Sequence, residues 1–261
     1  MTQTSPSLIY RRDGHIARIH FNRPEALNAI DAAMARDFKA ACTAISTDPE
    51  VRVVVLSGEG RAFIAGGDIK EFQADAAGVA ATLIDPLHEG VLLLSGLRAP
   101  VIASLRGPVA GAGFSLAMIC DLAIAADDTR FNLAYCNLAT TSDLGASWTL
   151  PRVVGLRKAT EIALLSGTID AAEALRLGLV NRVVAKEELE EQTEALATRL
   201  ARQAPIAMGK MKKLLRESFA NDLATQLAAE RQSFAECART ADFAEAVDAF
   251  LGKRAANYTG R

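Results

Sequence analysis

The sequence has only three histidines, His15, His20 and His88, and its four cysteines, Cys42, Cys120, Cys136 and Cys237, have no C-x-x-C spacing. With no close His/Cys/carboxylate cluster, no zinc or other transition-metal site is expected. Scattered thiols argue against a disulfide framework and for a reducing, cytoplasmic compartment. Charge of one sign is also missing. The 29 basic and 31 acidic residues leave a net charge of -2, which offers nothing to a nucleic-acid backbone. No apolar run approaches the roughly 18 residues that cross a bilayer, and MTQTSPSLIYRRDGH lacks the basic-then-apolar pattern of a signal peptide. What remains is a chain of 261 residues, 50% hydrophobic, long enough to bury a large core and suited to a small-molecule partner.

Hydrophobic periodicity supplies the elements. Residues 8–12 and 16–21 flank Asp13-Gly14, a tight-turn signal, and read as a hairpin. Helical spacing runs from Asp31 to about Thr47, where Asp48-Pro49 stops it. VRVVVLSG reads as a buried strand, GEGRAFIAGG as a loop, and a helix begins near Asp68. The same order recurs: helix around 83–97, strand VIASL, loop RGPVAGAG, helix 114–120. LAIAA and RFNLA read as two more strands, 137–143 as a loop before a helix containing Trp148, and 179–184 as the last strand. After Lys186 every segment reads as helical. Alternation of strand and helix implies a mixed α/β architecture.

Both glycine-rich loops run from a buried strand into a helix, where backbone N–H groups lack partners and the helix dipole favours negative charge. Gly66, Gly67, Gly111 and Gly113 equally suit tight turns and close packing. Two converging N–H donors would hold the oxygen of an enolate. Neither loop contains Gly-Lys-Ser/Thr, and GPVAGAG is not G-x-G-x-x-G, so nucleotide sites lack support. GFSLA is a faint match for a hydrolase nucleophile elbow, but its last glycine is missing and no histidine follows to serve as base.

The segments NRPEALNAI, GRAFIAGGDIKE, GPVAGAGFSLAMICDLAIAADDTRF and FLGKRAANY, in that order over residues 22–258, resemble the crotonase superfamily, also called the enoyl-CoA hydratase/isomerase family. The resemblance implies a spiral of repeated ββα units over residues 1–200 with an acyl-CoA site, and a helical oligomerisation region over 201–261 that builds a homotrimer or a dimer of trimers. It implies acyl-CoA thioester substrates, with CoA as part of the substrate and no separate cofactor. By the family's motifs the oxyanion donors fall on Gly67 and Ala112. CoA contacts fall on Ala26, Ala65, Gly66, Ile69 and Arg61, and on Lys253 reaching across from a neighbouring subunit. Arg61 and Lys253 read by themselves as solvated surface charge.

The departures from the family pattern are informative. Its hydratases carry two glutamates, and the matching positions here hold Ser115 and Tyr135. Without them the proton movements of hydration lose a general acid–base contribution of order 10²–10⁴. Asp143, in SDLGASW, falls where certain family isomerases place a catalytic aspartate; the pattern is nearest the phenylacetate-pathway isomerases, although these carry Pro-Asp-Gly-Gly. Asp143 also precedes a helix and is a good N-cap. The expected mechanism takes a proton from C2 with Asp143 and returns it at C4. Leu138, Leu144 and Trp148 serve as apolar walls that raise the acid's pKa, or as plain core, the better reading for Leu138. Tyr135 is a pocket hydroxyl or a packing residue. The alternatives are a hydratase with atypical residues, an aryl-CoA dehalogenase-like enzyme in which His88 is functional and Asp143 a nucleophile, and a non-catalytic acyl-CoA- or RNA-binding protein of the same fold.

Overall fold

The computed structural model describes residues 6–261. Strands β1 (Leu8–Asp13) and β2 (Ile16–Phe21) form the expected antiparallel hairpin, Leu8 opposite Phe21 and Asp13 opposite Ile16, with Gly14 turning at φ +57°. Helix α1 (Ala32–Thr47) starts where Asp31 accepts the Met34 N–H at 2.8 Å, and it buries Met34, Phe38, Cys42 and Ile45. Strand β3 (Val53–Gly58) is buried from Val53 to Leu56, as a strand covered on both faces must be. Asp68 caps α2 (Ile69–Ala74), and a π-helical turn, Ala80–Ile84, leads into α3 (Asp85–Gly96).

The chain continues through β4 (Val101–Leu105), β5 (Pro108–Ala110), α4 (Ala112–Ile119), β6 (Leu122–Ala126) and β7 (Arg130–Asn132). A 3-10 turn, Tyr135–Leu138, precedes α5 (Ala146–Val154), α6 (Leu156–Leu165), β8 (Ile169–Asp170), α7 (Ala171–Leu177) and β9 (Arg182–Val184). Helices α8 (Leu189–Ala201), α9 (Pro205–Glu217), α10 (Leu223–Cys237) and α11 (Ala241–Leu251) complete it.

Six strands form one sheet in the order β1-β2-β3-β4-β6-β9, parallel from β2 onward. A second sheet has the order β5-β7-β8. Strand β5 corrects the reading of RGPVAGAG as a loop: pairing with β7 and a bridge from Val109 to Ile64 override a local Gly/Pro signal. RFNLA ends as a strand at Asn132, because Ala134 takes a left-handed φ of +57°. The last strand begins only at Arg182, since Gly178, at φ +78°, ends α7 and the Leu179 N–H returns to Ala174 O.

Alternation along β2 and β3 sorts the core. Ala17, Ile19, Phe21, Val54 and Leu56 join the main cluster with α1, α3 and α4, whereas Ile16, Val53 and Val55 pack beneath Ala197 of α8. Lys212 and Arg216 anchor α9 through Asp121, at 2.7 and 2.8 Å. Leu223, Phe234 and Phe250 are exposed in the single chain. Among the described residues no helix is long and apolar enough to cross a membrane.

Candidate active site

The two glycine-rich loops lie against each other. Ile64 bridges Val109 and its carbonyl accepts the Ala110 N–H at 2.9 Å; a Cβ added at Gly111 would stand 3.5 Å from the Gly66 Cα. On the first loop, Ile30 donates to Gly66 O and accepts from Asp68 N, at 2.9 and 2.8 Å, bracketing Gly67. On the second, Gly111 donates to Asn132 O at 3.0 Å and, at φ +50°, turns the chain into α4. Among the described residues neither the Gly67 nor the Ala112 N–H donates to a protein acceptor. Two open amides therefore sit on adjoining loops, one of them in the first turn of a buried helix that no side chain caps.

A backbone donor at position 112 requires that alanine fit the turn into α4. It does, because Ala112 is the first helical residue, and the glycine requirement belongs to its neighbours. Gly111 needs its positive φ, and a Cβ at Gly113 would meet Ile64 O at 2.2 Å.

A chain of hydroxyls runs from this loop to the acid. Ser115 Oγ bonds Gly111 O at 3.3 Å and Tyr135 Oη at 2.9 Å, and the Tyr135 hydroxyl donates to Asp143 Oδ1. Asp143 does not cap a helix with its side chain. The N-cap of α5 is Gly145, at φ +80°, and only the Asp143 carbonyl takes part, accepting from Ala146 N. Burial pushes the Asp143 carboxyl above the usual aspartate range; the Tyr135 hydrogen bond and nearby His88 oppose that in part. Burial, then the charge of Asp143, pushes the Tyr135 hydroxyl up, so it keeps its proton and acts as the donor.

A family model described as enoyl-CoA hydratase/isomerase matches residues 11–261. The chain belongs to that family, the crotonase superfamily. It is 35% identical over 258 residues to a protein of Mycobacterium tuberculosis named probable enoyl-CoA hydratase, covering 99% of this chain and all of that one. It is also 35% identical to the 1,2-epoxyphenylacetyl-CoA isomerase of Escherichia coli, over 94% of this chain and 95% of the relative. The crystal structure of an enoyl-CoA hydratase from Polaromonas sp. JS666 superposes with a TM-score of 0.91 at 34% identity, covering 97% and 99% of the two chains, so the fold is the crotonase fold.

The other candidates of this crotonase-superfamily enzyme are distributed unevenly. His88, on α3, accepts the Leu144 N–H with Nε2 at 3.1 Å, directly beside the acid. Leu144 is buried and held at a left-handed φ of +50°. Leu138 and Trp148 are exposed in the single chain. Leu138 is 54% exposed, so it is not core, and Trp148 is 49% exposed with the Arg152 guanidinium 4.1 Å above its ring. Tyr135 lies in a 3-10 turn rather than a strand. Ala26 and Ala65 are half-buried on facing turns, the Ala65 N–H reaching Leu27 O at 3.1 Å, while Ile69 and Arg61 are exposed and Arg61 has no ion pair among the described residues. Lys253 follows α11 and shares no hydrogen bond or ion pair with the other candidates among the described residues.

Sequence reasoning missed the groups that hold the first loop. Buried Asn28, at φ +57°, donates to Glu59 O and Ala62 O and accepts from Arg23 N. Arg23 pairs with Asp31 and Asp68 at 3.3 and 3.0 Å. An Asn between Leu and Ala in NRPEALNAI was the available signal, since Asn tolerates left-handed backbone.

His88 positions the acid's loop, so His88→Ala is expected to lower turnover about tenfold, leaving a buried N–H without its acceptor. Steady-state kinetics should place the loss in kcat, with KM for the acyl-CoA nearly unchanged.

Proposed function

We propose that the chain isomerises an enoyl-CoA thioester, moving the double bond from the 3,4- to the 2,3-position through an enolate. The observation that carries this reading is the Ser115–Tyr135–Asp143 chain, which presents one carboxylate and two hydroxyls beside the open amides. Gly67 and Ala112 N–H groups polarise the thioester carbonyl and hold the enolate oxygen. Asp143, made more basic by burial, takes the C2 proton and returns it at C4. Tyr135 keeps the carboxylate aimed through its donated hydrogen bond. Ser115 and Tyr135, where hydratases of the family place glutamates, bond to each other and supply no base for water. The CoA arm runs past Ala26, Ala65, Gly66 and Ile69, its phosphates toward Arg61 and the Lys253 of a neighbouring subunit in a homotrimer or a dimer of trimers. The exposed apolar side chains of α10 and α11 support that assembly. With its Nε2 engaged by Leu144, His88 has a positioning role, which favours proton transfer over nucleophilic aromatic substitution.

A panel of 3-enoyl-, 2-enoyl- and arylacetyl-CoA thioesters tests the reading, followed by ultraviolet absorbance and solvent-deuterium incorporation. Conjugation of the 3-enoyl substrate faster than hydration of the 2-enoyl one supports it. Faster hydration makes the chain a hydratase, and binding without C2 exchange makes it a non-catalytic binder.

Tyr135→Phe separates the acid's two influences. The Tyr135 bond favours ionised Asp143, so its loss leaves burial less opposed and lets the pKa rise further. The acid limb of the kcat profile should move to higher pH, with activity recovering toward alkaline pH.

A further inference from the structure

A second constellation lies on the face of the large sheet that α8 covers, opposite the main core. His20 and Ser57 are direct cross-strand partners on β2 and β3, each one residue before its strand's end. Ser57 Oγ stands 2.9 Å from His20 Nδ1, and His20 Nε2 stands 2.8 Å from Glu59 Oε2. A carboxylate can only accept, so Nε2 carries the ring proton and Nδ1 offers its lone pair to the Ser57 hydroxyl. The serine is thus aimed at a base that an acid orients, in the order nucleophile, imidazole, carboxylate.

The arrangement opens onto a cleft of about 520 Å³ lined by Ser57, His20, Ser104, Thr193, Arg18 and Arg106, with the α8 carboxylates Glu190, Glu191 and Glu194 on its other side. Ser57 and Ser104 lie near the carboxyl ends of parallel strands, where open α/β sheets tend to bind ligands. The Arg18 guanidinium spends bonds on Asp13 and Glu194, and that of Arg106 on Glu190; their remaining N–H groups are the cationic donors of the cleft. The His20 hydrogen bond holds the Glu59 carboxyl below the usual glutamate range, so it stays ionised at neutral pH.

We infer that Ser57, His20 and Glu59 form a second, hydrolytic site that accepts short activated acyl esters and thioesters. Ser57 Oγ attacks the acyl carbonyl carbon as its proton passes to His20 Nδ1, and Glu59 stabilises the imidazolium. The N–H groups of Arg18 and Arg106 that their ion pairs leave free are the donors the cleft offers to the charge on the tetrahedral oxygen. Collapse breaks the bond to the leaving group, which departs with the proton from His20. Water repeats the sequence, releasing the carboxylic acid and restoring the serine. No motif revealed this set, because His20 lies on β2, whereas Ser57 and Glu59 lie at the end of β3 and just past it, and strand pairing alone joins them.

The full chain incubated with p-nitrophenyl acetate should release nitrophenol and carry a transient acetyl group on Ser57, seen by peptide mass spectrometry after acid quench. Ser57→Ala should lower that rate roughly tenfold or more while keeping conversion of 3-enoyl-CoA, and Glu59→Gln should lower it as well. A rate unchanged in Ser57→Ala, or acetyl found only on lysines or on exposed Cys136, would overturn the site and reduce the three residues to a surface hydrogen-bond chain. Because the ester assay involves neither Asp143 nor CoA, its failure leaves the isomerase reading standing.

Discussion

Asp143→Asn is expected to lower isomerisation by roughly a hundredfold or more, the scale of a lost general base, while acyl-CoA binding persists. Asparagine keeps the shape and can still accept the Tyr135 hydroxyl, so the Ser115–Tyr135 chain has no reason to move. What disappears is the basic oxygen proposed to take the C2 proton. Turnover and solvent-deuterium exchange at C2 should fall together, because both need that first transfer. Wild-type-like turnover in this variant would remove Asp143 from the mechanism.

The same substitution should stabilise the fold at neutral pH. Asp143 has its folded-state pKa raised, chiefly by burial, so the folded chain holds the proton more tightly than the unfolded one. That contribution is fully present below the unfolded pKa and is lost as pH rises through the folded pKa. At neutral pH the wild type therefore carries a partly desolvated charge that the variant lacks. Thermal melts should show a higher Tm for Asp143→Asn at pH 7, with the difference closing toward acid. A lower Tm at pH 7 would mean that the charge itself holds the loop.

The second large effect belongs to a backbone atom. Ala112→Pro deletes the N–H proposed as an oxyanion donor and is expected to cost about 10²–10³ in kcat. The position makes the test clean, since Ala112 is the first residue of α4, and proline is well tolerated at the first helical position. Gly111 has no Cβ to clash with the incoming ring. Ala112→Gly is the control: it keeps the N–H, costs at most about 1 kcal/mol of helix stability, and should stay within a few-fold of wild-type turnover. A proline variant that retains its Tm and most of its kcat would show that Ala112 carries no oxyanion charge.

Local pattern was enough for the elements whose partners lie nearby in the chain. The hairpin follows from Asp13-Gly14 between apolar strands, and α1 from its spacing and the Asp31 cap. The strand, glycine-loop and helix order was legible twice over, and so was the family, because its motifs are contiguous segments. Local pattern misread β5, whose Pro108-Val109-Ala110 becomes a strand only through Ile64 and β7. It also offered Leu138 and Trp148 as plain core, although both are exposed. Apolar character states that a side chain favours burial, not which surface will cover it.

Asp143 marks the division most clearly. The sequence alone determined that one carboxylate stands in the loop before α5 and that hydroxyls replace the family's glutamates at positions 115 and 135. It also determined that two glycine-rich turns enter helices. Whether Asp143 capped a helix or faced a site depended on a helix start displaced by two residues, to Ala146 behind a left-handed Gly145. It depended equally on Tyr135, eight residues back, and on Ser115, on another helix. Capping is a contact within one turn and can be read from neighbours. Proton transfer needs groups brought together from separate elements, and only the packing of α3, α4 and the 135–143 loop sets that distance.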